Sequence, residues 1–258
     1  MYSDGTGLIN LSNNPFVDNE PSWSPDRTKI VFASNRDSYV NNQGFKTLNE
    51  DIFSMNSDGS NVINLTNRSQ GRDVNPSWSP DGTEIVFASD RHDGIYKMDS
   101  DGSNERWLGV GGGYEPAWSP DGTKIAFEVG GEYGAPRSIV IGSPDGGILT
   151  TLTGEYNGID RSPAWSPDGS KIAFSSSQND IHDDAEIWVM NSDGTNQIRL
   201  TSHPTRAYAP TWSPDGSQIA FWSDYLGNDE IFIVNADNGS NPINVTNDSP
   251  GREPSWSR

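Results

Sequence analysis

Six near-copies of one short phrase fix the architecture of this chain. Pro21-Ser22-Trp23-Ser24-Pro25-Asp26 returns with small changes at Pro76, Pro116, Pro163 and Pro210, and starts again at Pro254-Ser255-Trp256. The motif tryptophans Trp23, Trp78, Trp118, Trp165, Trp212 and Trp256 are 55, 40, 47, 47 and 44 residues apart. That is the period of one four-stranded propeller blade rather than of a helical repeat.

Within each repeat, four short apolar runs alternate with turn signals, as in an antiparallel meander. In the fourth repeat the expected strands are 164–166, 171–175, 186–191 and 197–201. Ser-Pro-Asp-Gly joins the first two: proline presets φ, aspartate bonds back to the backbone, and glycine takes the left-handed conformation. Arg27 replaces that glycine in the first repeat. The third link is a second glycine turn, at Asp58-Gly59, Asp101-Gly102, Asp145-Gly146, Asp193-Gly194 and Asn238-Gly239.

The motif tryptophan falls on the first, innermost strand, where a large ring can fill the wedge between splayed sheets; it reads as core rather than ligand platform. Strands two and three occur five times, while strand one occurs a sixth time at Trp256 and strand four a sixth time at 8–11. The expected fold is therefore an all-β propeller of four-stranded antiparallel blades. It has five complete blades plus an N-terminal outer strand and a C-terminal inner strand, an incomplete sixth blade. Residues 1–258 read as one propeller domain, a fragment of a longer repeat protein, since the segment 2–12 matches the end of the following repeat at 55–66.

A formal charge of -19 with 17 Lys+Arg repels phosphate backbones and anionic headgroups, which argues against nucleic-acid partners. No apolar run reaches the roughly 20 residues that span a bilayer, so no membrane insertion is expected, and the first residues lack the pattern of a signal peptide. With no cysteine, disulfides, thiolate metal sites and a cysteine nucleophile are excluded together.

Pro163 to Phe174 followed by Glu186 to Thr201 resembles, almost position for position, the repeat of the TolB-type WD-repeat-like β-propeller family. The likeness runs through nearly the whole chain. It implies the propeller fold and a periplasmic or extracellular setting. It leaves function open, because the family includes protein-docking modules, sugar-processing lyases and non-catalytic propellers of serine peptidases.

In a meander, alternate links share one face of the disc. The Ser-Pro-Asp-Gly and Asp-Gly turns occupy one face, and the variable links, long at 35–50 and short at 90–94, occupy the other. Binding residues are expected on that variable face. The residues just before each first strand should ring the channel mouth: Asn19 and Glu20, Arg72 and Asp73, Tyr114 and Glu115, Asp160 and Arg161, Arg206 and Tyr208, Arg252 and Glu253. Arginine, tyrosine and carboxylate together suit peptide, protein or sugar recognition; the competing structural account has the arginines pairing with carboxylates to tie adjacent blades.

No cofactor is required by the sequence. Calcium is the one candidate, at Asp180, Asp183, Asp184 and Glu186, whose oxygens suit a hard cation without the EF-hand spacing. His92, His182 and His203 also fall in variable loops. No motif for a serine nucleophile elbow, a zinc protease or a P-loop is present. The expected function is a non-catalytic binding scaffold for a protein, peptide or glycan. Two alternatives stand beside it. One is a carbohydrate-active lyase or hydrolase using a metal or carboxylates on the same face; the other is a repeat fragment without separate activity that homo-oligomerises through its orphan terminal strands.

Overall fold

A computed structural model describes residues 7, 9–37, 49–67, 71–130, 136–154, 158–178, 184–202, 206–246 and 251–256. Blade 1 comprises strands Asp18–Trp23, Lys29–Ser34, Asp51–Asn56 and Ile63–Asn64. Blade 2 comprises Asp73–Trp78, Glu84–Ser89, Gly94–Asp99 and Arg106–Gly111. Blade 3 comprises Gly113–Trp118, Ile125–Gly130, Arg137–Gly142 and Ile148–Thr151. Blade 4 comprises Asp160–Trp165, Lys171–Ser176, Glu186–Asn191 and Ile198–Arg199. Blade 5 comprises Ala207–Trp212, Gln218–Ser223, Glu230–Asn235 and Ile243–Asn244. Every sheet pairs its strands in chain order and antiparallel, and the described residues contain no helix. In blade 4 the first strand starts four residues earlier than the sequence suggests, and the outer strand keeps only two of the expected five residues. Such short outer strands offer little unpaired edge to another chain.

The tryptophans do what the repeat demands of them. Trp78, Trp118, Trp165 and Trp212 are 7–8% exposed. Each joins a cluster that spans two neighbouring blades: Trp118 packs with Val86, Ala88 and Ile95 of blade 2 as well as Ile125 and Phe127 of its own blade. The indole N–H of Trp212 donates to the carbonyl of Ala164 at 3.0 Å, and that of Trp165 to Ala117 at 3.2 Å, bonding one inner strand to the preceding one.

The two kinds of turn share a face as expected. Ser57 N–H donates to the Thr28 carbonyl at 2.9 Å, and Ser100 to Thr83 and Ser192 to Ser170 at the same distance. In the turns between first and second strands the aspartate accepts from the serine hydroxyl before it and the backbone N–H after it, as Asp168 does from Ser166 and Ser170. Those hydrogen bonds hold the Asp168 carboxyl down at about 2. Arg27 sits at φ 61°, the region that glycine occupies at Gly82, Gly122, Gly169 and Gly216.

The terminal segments take the places of the expected orphan strands without forming a further ladder among the described residues. Leu11 packs against the Ile30, Phe32, Phe53 and Met55 face of blade 1, as Leu65 does against blade 2. Trp256 packs against Ala220, Ile231, Ile233 and Val245 of blade 5, as Trp78, Trp118, Trp165 and Trp212 pack on the blade before them.

Candidate functional site

The channel mouth is made by one bulge repeated around the axis. In blades 1, 2, 4 and 5 the inner strand shifts register so that two residues oppose one: between Asn19 and Ser22, Val74 and Ser77, Arg161 and Ala164, and Tyr208 and Thr211. Blade 3 bulges at the same place on its inner strand, between Tyr114 and Ala117, which face Glu128 and Ala126. The bulged residue is left-handed and never glycine: Glu20, Asn75, Glu115, Ser162, Ala209 and Glu253 have φ between 51° and 56°. A β-bulge re-aims side chains, and each left-handed residue with a Cβ costs about 1–2 kcal/mol. All six, with the prolines that follow them, line a single central cavity of about 520 Å³. Five positions belong to complete blades and the sixth to the C-terminal segment.

One side of this mouth carries a contiguous series of rings and guanidinium groups. The Arg161 guanidinium lies 5.9 Å from the centre of the Tyr208 ring. Tyr208 packs on Trp222 at 5.1 Å, and Arg252 lies 5.0 Å from the Trp222 ring. These four side chains and Arg206 all line the cavity. Arg252 is held from behind by Asp229, its Nε donating to Oδ2 at 2.8 Å, and Arg206 lies 3.5 Å from Asp224.

The other side carries carboxylates bonded to the backbone of the next position. Glu253 Oε2 accepts from the Glu20 N–H at 2.7 Å, Glu20 Oε2 from the Asn75 N–H, and Glu115 Oε2 from the Ser162 N–H at 2.6 Å. Burial, reinforced by the neighbouring Glu253 charge, pushes the Glu20 carboxyl up to about 8. Burial also raises Glu253, with the Glu115 and Glu50 charges adding to it. Behind Glu115, burial and the Glu115 charge push Glu128 up to about 8 although it is paired with Arg137; its Oε2 has no hydrogen-bond partner among the described residues.

Of the expected rim residues, Glu20, Glu115, Arg161, Arg206, Tyr208, Arg252 and Glu253 line the mouth. Asn19, Arg72, Asp73, Tyr114 and Asp160 do not. The axis is faced by the bulged third position of the inner strand and the proline after it, while the first two positions lie between blades or on the rim. Arg72 pairs with Glu50, and buried Asp73 with Arg91 at 3.0 Å, so here the arginines do tie neighbouring elements. The Tyr114 hydroxyl donates to Asp93, which raises it to about 12. Asp160 opens a separate cleft between blades 3 and 4.

Asp180, Asp183, His182 and His203 lie outside the described residues. Glu186 is engaged by Arg199 at 2.6 Å and by the Thr201 hydroxyl. His92 stacks on Trp107 at 5.4 Å at the outer edge of blade 2. Among the described residues no three His, Asp or Glu side chains gather as a metal site. Trp222 escaped the sequence reading, although it had a signal: it stands where other repeats place Ala33, Ala88 and Ser175, opposite Tyr208 in register.

Comparison with known proteins agrees with this fold. The sequence matches the TolB beta propeller domain family over residues 40–156 and 115–258. The structure is similar to TolB from Acinetobacter baumannii at a TM-score of 0.80 and 20% identity, covering 99% of this chain and 61% of that one. It is similar to a putative TolB from Agrobacterium tumefaciens at a TM-score of 0.61 and 26% identity, covering 73% and 66%. An oligogalacturonate lyase from Vibrio parahaemolyticus shares the fold at a TM-score of 0.62 and 16% identity, covering 91% and 67%. This chain thus spans less than two thirds of the length of either TolB structure. Repeat, blade topology and family match converge, and the chain belongs to the TolB β-propeller domain family.

Proposed function

We propose that the channel mouth is a non-catalytic docking site for an extended, acidic peptide segment of a partner protein, in a periplasmic or extracellular setting. The observation that carries this reading is the Arg161–Tyr208–Trp222–Arg252 series along one wall of a cavity of about 520 Å³. Rigid aromatic rings and arginines are the side chains that dominate binding energy at interfaces. Three guanidinium groups on the wall, of Arg161, Arg206 and Arg252, suit carboxylates on the partner, and Glu20, raised to about 8, adds little opposing charge at pH 7. The proline-lined wall adds a surface that loses little conformational freedom on binding. The setting is supported by the family and by the TolB likeness.

The test is selection of linear peptides from a random displayed library on the immobilised chain, followed by binding to Trp222→Ala and Arg206→Glu variants. Enriched acidic peptides that lose at least about tenfold in affinity with either variant, and protect 206–211 and 251–256 from hydrogen exchange, support the reading. Peptides indifferent to both variants, or protecting the Ser-Pro-Asp-Gly face, overturn it.

A further inference from the structure

The repeats provide their own control for a second site. In blade 1, Arg36 follows the second strand and folds back: its Nε donates to Ser34 Oγ at 3.0 Å and Nη2 to Asp18 Oδ1 at 2.8 Å. Its guanidinium lies 4.9 Å from the rings of both Phe32 and Phe53. Blade 2 repeats the device. Arg91 donates to Ser89 at 2.8 Å and Asp73 at 3.0 Å, and lies 4.4 Å from the Tyr96 ring. Blade 5 has neither partner, since Ala207 replaces the aspartate and Tyr225 the arginine.

Blade 4 keeps everything except the cation. Asp160 pairs in register with Ser176, as Asp18 does with Ser34 and Asp73 with Ser89. Phe174 and Trp188 form the facing aromatic pair. Gln178 stands in the arginine's place, its N–H approaching Ser176 Oγ at 3.4 Å where Arg36 and Arg91 approach their serines at 3.3 Å. Its shorter side chain turns to Gln197 at 3.4 Å instead. The space left is a cleft of about 680 Å³ between blades 3 and 4, lined by Asp160, Gln178, Trp188, Gln197, Thr151 and Thr153 among others. Asp160 is 6% exposed and accepts from the Ser176 hydroxyl at 2.5 Å. Among the described residues, no lysine or arginine forms an ion pair with it. Burial raises its carboxyl, as it raises that of Asp73 in spite of Arg91, whereas in Asp18 the hydrogen bonds and the Arg36 charge prevail and the carboxyl is lowered.

We propose that this cleft binds a guanidinium group from outside the chain, paired with the Asp160 carboxylate and stacked on Trp188, in the place that Arg36 and Arg91 fill in blades 1 and 2. A buried carboxylate without a counter-charge is unfavourable, and an arriving cation relieves it. Guanidinium fits better than ammonium because its planar fork matches a carboxylate and its face stacks on an indole, the strongest of the aromatic partners for a cation. The cleft is larger than the group itself, and Thr151 and Gln197 offer polar contacts to whatever carries it. An arginyl side chain of a peptide and a small free guanidine share this chemistry. The site is separate from the channel mouth and does not depend on the function proposed there.

The experiment titrates the whole chain with agmatine, with the peptide acetyl-Gly-Arg-Gly-amide and with 1,5-diaminopentane, reading the Trp188 indole N–H by NMR. Saturable perturbation by either guanidine, at least about tenfold tighter than by the diamine, is expected. Preference for the peptide identifies an arginyl side chain as the source, and preference for agmatine a free guanidine. Gln178→Arg fills the cleft from within and should abolish the response while the chain still melts cooperatively; Asp160→Asn should abolish it as well. A response that persists unchanged in Gln178→Arg, equal binding of the diamine, or no response from either guanidine overturns the proposal.

Discussion

The carboxylate of Glu253 accepts the backbone N–H of Glu20 at 2.7 Å, across 233 residues of sequence. The same bond links Glu20 to Asn75 and Glu115 to Ser162, so the C-terminal segment is joined to blade 1 as blade 1 is to blade 2 and blade 3 to blade 4. This closes the ring at its sixth position. It also delivers Arg252 to the Trp222 ring, and so completes the wall on which the proposed function rests.

Replacing Trp165 by alanine should destabilise the chain by about 3–5 kcal/mol, as for a large aromatic removed from a packed interior. The ring is 8% exposed and its N–H bonds the preceding inner strand, so both packing and a hydrogen bond are lost. Urea unfolding of the two proteins side by side measures the difference, and an unchanged midpoint would remove the indoles from their structural role.

Arg27→Gly should stabilise the first turn. Arg27 has φ 61° where four equivalent turns have glycine, and relief of the left-handed strain is worth about 1 kcal/mol, partly offset by the greater freedom of glycine in the unfolded chain. A raised melting temperature is the expected result.

Stability should fall as pH rises from about 5 to 9. The carboxyls of Glu20 and Glu128 titrate near 8 in the folded chain, pushed up by burial, and near the ordinary value of about 4.3 when unfolded. Between those values the folded state binds more protons, so raising pH favours unfolding. The turn aspartates act oppositely: hydrogen bonds hold Asp168 and Asp215 at about 2, so their contribution is lost as pH falls below about 4. Melting temperatures across this range should peak near pH 5, and Glu20→Gln should flatten the alkaline limb; a limb of unchanged slope in that variant contradicts the assignment.

Blade number, the turn faces and the buried tryptophans were legible because each is written five or six times and follows from strand periodicity and turn chemistry. The site was legible in part. Glu115, Arg161, Arg206, Tyr208, Arg252 and Glu253 reach the mouth, but the bulge that selects which inner-strand position faces the axis leaves little trace in residue type, and Arg72, Asp73, Tyr114 and Asp160 therefore fell elsewhere. The informative signals were departures from the repeat. Trp222 replaces a small residue and lines the mouth; Gln178 replaces an arginine and leaves a cleft beside Trp188. Neither departure carries meaning until register shows which positions are equivalent.

The most direct measurement is hydrogen exchange at the single backbone amide of Glu20, followed by NMR in the unaltered chain and in Glu253→Ala. Closure through the C-terminal segment predicts a protected amide that becomes fast-exchanging in the variant, while the amide of Ser162, bonded to Glu115, keeps its protection. A Glu20 amide that exchanges freely in the unaltered chain, or is indifferent to Glu253→Ala, would contradict the closed ring and the channel mouth built on it.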